Sequence, residues 1–195
     1  MTLLTMPIRK TPLEIGNFYH IYNRGNNHQN IFFQRENYIY FIRLMKEHII
    51  NNGIDIIAYC LMPNHYHFLV YLREETLSDG MKSLSLAYTK AINRKFNRSG
   101  VLFQGRFQSI LVYDTEYLIH LCRYIHLNPV KAGMVKQPEE WEFSSYLEYA
   151  GLRYGKLPKI DYIKTQFEED SVYQQFLIDH NLPYDIEFKK MLLDD

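Results

Sequence analysis

Two short runs carry side chains that can do chemistry together. In Pro63-Asn64-His65-Tyr66-His67-Phe68-Leu69-Val70 a turn signal leads into a strand-like run, and alternation sends His65 and His67 to one face while Tyr66, Phe68 and Val70 take the other. The second face reads as core. Two adjacent imidazoles form a compact bidentate metal site, although histidines two apart also stand in exposed strands with no ligand. In Tyr124-Ile125-His126-Leu127-Asn128-Pro129 the helical repeat puts Tyr124 and Asn128 one turn apart, on the face that also carries Tyr117 and Leu121. The Asn128 amide oxygen is a hard donor that can join the imidazoles around Mg²⁺ or Mn²⁺, leaving water and substrate oxygens to complete the shell. Asn before Pro is also ordinary helix termination, and with 17 tyrosines in the chain neither residue decides the matter alone.

Charge suggests what such residues act on. The 22 basic and 22 acidic side chains balance, but residues 1–138 hold 16 Lys and Arg against 9 Asp and Glu, and residues 139–195 hold 6 against 13. From Gly80 to Tyr113 no acidic residue occurs, while Lys82, Lys90, Arg94, Lys95, Arg98 and Arg106 do. A polyanion is the natural partner, with a solvated basic helix as the plainer alternative. Lys90, Arg94, Lys95 and Arg98 have helical spacings suited to a phosphate backbone. Tyr88, Phe96, Phe103 and Phe107 either stack on unpaired bases or fill the core, and at least half are expected in the core.

The elements that must position these groups can be read in order. Gly16–Arg24 is aromatic and branched and ends in Asn23-Arg24-Gly25-Asn26-Asn27, a strand and loop. Arg35–Asn51 repeats Ile39, Ile42, Met45 and Ile49 at helical spacing, and Asn52-Gly53 stops it. Ile54–Met62 and His65–Leu72 read as a hairpin, Thr76–Asn97 as a long basic helix through Met81, Leu84, Tyr88 and Ile92, and Phe107–Tyr113 as another strand. Asp114 and Thr115 can cap a helix that ends near Asn128, before Pro129 and Gly133. The order βαββαβ predicts an α+β, ferredoxin-like core: an antiparallel sheet with two helices on one face and the other face covered or used. The tyrosine-bearing helix follows. A catalytic domain over 1–138 and an acidic, mostly helical extension over 139–195 packed on it are expected, with a helix near Glu168–His180 and with Tyr162, Phe167, Phe176, Leu177 and Phe188 facing the main domain. Apolar runs are far shorter than the roughly 20 residues of a membrane helix, and two cysteines with no secretory signal predict a reducing cytoplasm.

Taken together, four runs resemble one family in the same order. Pro63-Asn64-His65-Tyr66-His67-Phe68-Leu69-Val70 is similar to the His-hydrophobic-His motif of the single-tyrosine HUH transposases, particularly the REP-associated (repetitive extragenic palindrome) tyrosine transposases. Tyr124-Ile125-His126-Leu127-Asn128-Pro129-Val130-Lys131-Ala132-Gly133 resembles the catalytic helix of that branch, and Tyr19-His20-Ile21-Tyr22-Asn23-Arg24-Gly25-Asn26-Asn27 and Leu102-Phe103-Gln104-Gly105-Arg106-Phe107 match it too. The resemblance covers roughly residues 13–150. Tyr66 departs from the usual aliphatic residue between the histidines, with its side chain expected in the core.

The resemblance implies a divalent metal on His65 and His67 with Asn128 beside it, and Tyr124 as nucleophile on single-stranded or hairpin DNA, which Arg24, Lys90, Arg94, Lys95, Arg98 and Arg106 would bind. Attack by the phenol gives a 5′-phosphotyrosine and a free 3′-hydroxyl, and rejoining needs no nucleotide cofactor. A phenol with a pKa of about 10 needs help at neutral pH. The rivals are a non-catalytic, domesticated hairpin-binding protein and a metal-dependent hydrolase that activates water. A monomer or weak homodimer is expected, because the short link from strand to tyrosine helix favours a site completed within one chain.

Overall fold

Alternating apolar runs build the sheet that carries both histidines. The computed structural model describes residues 12–167 together with 172, 173, 175 and 176. Strands β1 (Phe18–Arg24), β2 (Ile54–Leu61), β3 (His65–Leu72) and β4 (Gln108–Val112) form one antiparallel sheet in the order β2-β3-β1-β4. Helices α1 (Arg35–His48) and α2 (Leu77–Lys95) join them in the order βαββαβ. This is the expected α+β, ferredoxin-like core.

Parity along the strands divides the interior into two layers. Tyr19 and Ile21 of β1 and Tyr66, Phe68 and Val70 of β3 bury with Phe41, Met45, Met81, Leu84, Tyr88 and Ile92 of the helices. Tyr66 is therefore a core residue, as its strand position requires. Of the expected α1 stripe, Met45 and Ile49 are buried and Ile42 packs against the core, but Ile39 is 46% exposed, and Tyr38, Phe41 and Leu44 are buried in its place. The aromatic rings remove more apolar surface from water than the isoleucines and take the inner positions.

The opposite face is covered by α3 (Thr115–Lys131), whose Leu121, Cys122 and Ile125 pack with Ala58, Cys60 and Leu69. The Asp114 carboxylate accepts from the Tyr117 backbone N–H at 2.6 Å, the expected cap. At the other end α3 runs past the expected stop, with Pro129 inside the helix, until Gly133 turns the chain at φ 67°. A proline in a last turn forfeits a single intrahelical N–H, which the helix tolerates there.

Residues after 138 close one rim of the sheet. On the outer side of β2 the Leu61 N–H donates to Phe143 O at 2.9 Å, Ser145 N–H to Tyr59 O at 2.9 Å and Lys159 N–H to Ile56 O at 2.7 Å. Short helices α4 (Tyr146–Tyr149) and α5 (Asp161–Lys164) add Tyr146, Tyr149 and Ile163 to the α3 layer. The Arg153 guanidinium meets the Glu148 carboxylate at 2.6 Å. Tyr173 is buried in the same layer and Phe176 packs against it, both in helical conformation with Val172 and Gln175, while the remaining residues of the helix expected near Glu168–His180, with Leu177 and Phe188, lie outside the described residues. No helix among the described residues is long and apolar enough to cross a membrane.

Candidate active site

The site forms where β3 begins, β1 ends and α3 crosses the sheet. Antiparallel register sets Arg24 opposite His65 and Tyr22 opposite His67, so the two histidines share a face with the side chains of β1 at alternate positions. His65 and His67 are only 8% and 1% exposed. The sequence predicts this face to be covered or used; α3 and the residues after 138 cover it, so these imidazoles belong to the packed interior.

Helix α3 lays Tyr124 and Asn128 onto them. The Tyr124 ring stands 5.4 Å from the His67 ring and 6.4 Å from that of His20. One turn on, Asn128 Oδ1 is 3.2 Å from His65 Nε2. The other His65 nitrogen, Nδ1, is 2.7 Å from Asn64 Oδ1. An imidazole with one N–H cannot donate to two carbonyl oxygens. With the proton on Nδ1, the His65 Nε2 lone pair faces the Asn128 oxygen, acceptor against acceptor.

That arrangement fits a divalent cation. Adjacent ligands of an octahedral ion with bonds of about 2.1 Å lie about 3 Å apart, close to the Nε2 and Oδ1 separation found here. His67 Nε2 is buried with no hydrogen-bond partner, a second donor atom left for an ion. Burial, with His65 and His20 adding to it, holds His67 well below its ordinary pKa, so it stays neutral as a ligand must be. Among the described residues no group of three or more His, Cys, Asp or Glu side chains is arranged to hold a metal ion. An ion held here would rest on two imidazoles and an amide, which would leave its charge uncancelled.

Three residues join the site that the sequence reading had not assigned to it. His20, 1% exposed, sets Nε2 3.0 Å from His67 Nδ1. Asn64 orients His65. The Lys131 ammonium lies 4.8 Å from the centre of the Tyr124 ring, and burial, with Arg123 nearby, lowers it to about 8. The signals were there: His20 has the strand parity of Tyr22 and Arg24, and Lys131 lies two helical turns past Tyr124.

The expected DNA-binding residues divide by layer. Arg24, opposite His65, donates from Nε to Gln104 Oε1 at 2.5 Å, and Asn23 Nδ2 donates to Gly105 O at 3.3 Å. These contacts hold the loop that carries Arg106 against the end of β1. Arg94 and Lys95 form the last turn of α2, which returns toward this end of the sheet, and the Arg98 guanidinium lies 5.5 Å from the Phe33 ring centre. Lys90 is further back in the helical layer, which lies across the sheet from the histidines. Of the aromatics, Tyr88 and Phe103 are core, while Phe96 and Phe107 are partly buried against it.

The model of the family described as "Transposase IS200 like" matches residues 16–128, more than half of the chain. The chain belongs to the IS200-like transposases. A REP-associated tyrosine transposase of Escherichia coli is 31% identical to this transposase over 94 residues, 47% of this chain and 54% of the other. A Haemophilus influenzae protein of the same description is 30% identical over 106 residues, 47% of this chain and 58% of the other. The match thus spans little more than half the length of either relative. A solved REP-associated tyrosine transposase, bound to a REP hairpin, shares the fold of this transposase with a TM-score of 0.64 at 18% identity, over 79% of this chain and 98% of that one. The resemblance read from the four sequence runs is borne out.

Proposed function

We propose that this transposase cuts and rejoins single-stranded or hairpin DNA through a covalent bond between Tyr124 and a 5′ phosphate. The observation that carries the reading is the meeting, within one chain, of the Tyr124 ring with the His67 imidazole, whose Nε2 is buried without a partner, beside a His65 Nε2 that lies 3.2 Å from Asn128 Oδ1. His65, His67 and Asn128 would hold Mg²⁺ or Mn²⁺. When bound, such an ion polarises the scissile phosphate as a Lewis acid. The Tyr124 oxygen forms a bond to phosphorus as the bond to the 3′ oxygen breaks, and that oxygen takes up a proton. The phosphodiester energy stays in the tyrosine link, and a 3′-hydroxyl reverses the step.

Lys131 supplies the help that a phenol needs. An ammonium over the ring favours the phenolate over the neutral phenol. Tyr117, on the same helix, is a poor substitute, because burial first and then Tyr113 push it up to about 12. Arg24, Arg98 and Arg106, with Arg94, Lys95 and Lys90, would run the DNA backbone past this end of the sheet. The site is completed within one chain, in a monomer or weak homodimer.

One observation favours the rival, a hairpin-binding protein that does not cut: Tyr124 is only 6% exposed. Labelled single-stranded hairpins incubated with Mn²⁺ and run on a denaturing gel separate the two. Cleavage with a covalent protein–DNA adduct is expected, and Tyr124→Phe abolishes both while DNA affinity holds. Binding without cleavage selects the rival, cleavage without an adduct selects the hydrolase, and an adduct that survives in Tyr124→Phe moves the nucleophile elsewhere.

A further inference from the structure

His20 lies outside the donor set and the nucleophile, yet it is buried against both. It sits on β1 two positions before Tyr22 and therefore projects onto the histidine face. Its ring is 5.1 Å from that of His67, and its Nε2 is 3.0 Å from His67 Nδ1. One proton occupies that contact, and it has two possible owners. If His20 Nε2–H donates, the remaining His67 proton sits on Nε2, a buried donor with nothing to receive it, at a cost of about 1–3 kcal/mol. If His67 Nδ1–H donates, His67 Nε2 keeps its lone pair and the His20 proton sits on its Nδ1, away from the contact.

We propose that His20 is a positioning residue: by accepting the Nδ1–H of His67 it fixes the tautomer and plane of that ring, so that the Nε2 lone pair is presented to the divalent cation. Asn64 stands in the same relation to His65. Ligating histidines commonly place their second N–H on a carboxylate or carbonyl. Here the acceptor for His67 is a third imidazole from the neighbouring strand. The inference rests on the metal reading of the site.

Two measurements on the full chain test it. In long-range ¹H–¹⁵N spectra of ¹⁵N-histidine protein without metal, His67 is expected as the Nδ1–H tautomer with His20 Nε2 unprotonated. A His67 proton on Nε2 overturns the inference, and this spectrum needs no variant to fold. Mn²⁺ affinity by calorimetry is expected to fall about 10–100-fold in His20→Phe, which keeps the ring and removes the acceptor. His20→Gln, whose amide oxygen can accept, is expected to bind Mn²⁺ more tightly than His20→Phe. Wild-type affinity in His20→Phe removes His20 from the mechanism. Failure of the unaltered chain to bind Mn²⁺ at all is a different result and overturns the metal reading itself.

Discussion

His126 is completely buried between the tyrosine helix and the residues that cover it, with Nε2 2.8 Å from Ser145 Oγ and Nδ1 2.7 Å from the Tyr173 hydroxyl. Burial pushes it down to about 3, so the folded chain keeps it neutral where the unfolded chain protonates it at about 6.5. The unfolded state therefore binds more protons between those values, and stability rises with pH there. Going from pH 7 to pH 5, this one imidazole should cost the fold about 2 kcal/mol. His126→Leu removes the titration. At pH 7 the variant should be less stable by about 1–3 kcal/mol, since the Tyr173 hydroxyl loses a partner and Ser145 keeps only its contacts with Tyr59. At pH 5 most of that deficit should disappear. Urea unfolding of both proteins at the two pH values measures this difference of differences. An equal gap at pH 5 and pH 7 would refute the reasoning, because it would mean that His126 carries the same charge in the folded and unfolded chains.

Two further outcomes follow from the site. Mixing a Tyr124→Phe chain with a His65→Ala chain should restore no cleavage, since each site is built within one chain; recovered cleavage would show a site shared between subunits. Lys131→Met should slow adduct formation at pH 7, where the ammonium is present, and the difference should shrink at pH 9, above the value of about 8 at which that charge is lost. A deficit of the same size at both pH values would assign Lys131 to packing instead.

Strand alternation was enough to put His65 and His67 on one face, and helical periodicity was enough to pair Tyr124 with Asn128, because both are local rules. What buries those faces is not local. The burial of the histidines is not legible locally because their cover, α3 and the residues after 138, is set by contacts far away in the chain. His20 was hidden in Phe18-Tyr19-His20-Ile21-Tyr22, where its neighbours read as apolar strand and its partner lies 47 residues on. Lys131 was lost to a boundary: a helix expected to stop at Asn128 cannot aim the residue three places later, whereas the helix that absorbs Pro129 carries Lys131 over the Tyr124 ring. Of the expected α1 stripe, Met45 and Ile49 are buried and only Ile39 is displaced outward, by larger rings on the same helix, a competition decided by packing volume.

The closed rim of the sheet bears on how copies of this chain can meet. Sheets grow by adding strands at their rims, where backbone donors and acceptors stand ready. At β2 those groups are already taken by Phe143, Ser145 and Lys159 of the same chain. At the other rim β4 is five residues long, and no other strand of the described residues pairs beyond it. Two chains that met strand to strand at β4 would use up the last open rim that the described residues leave to each. Growth by this route therefore terminates at a pair, and copies of this chain can meet at high concentration without a sheet propagating through them.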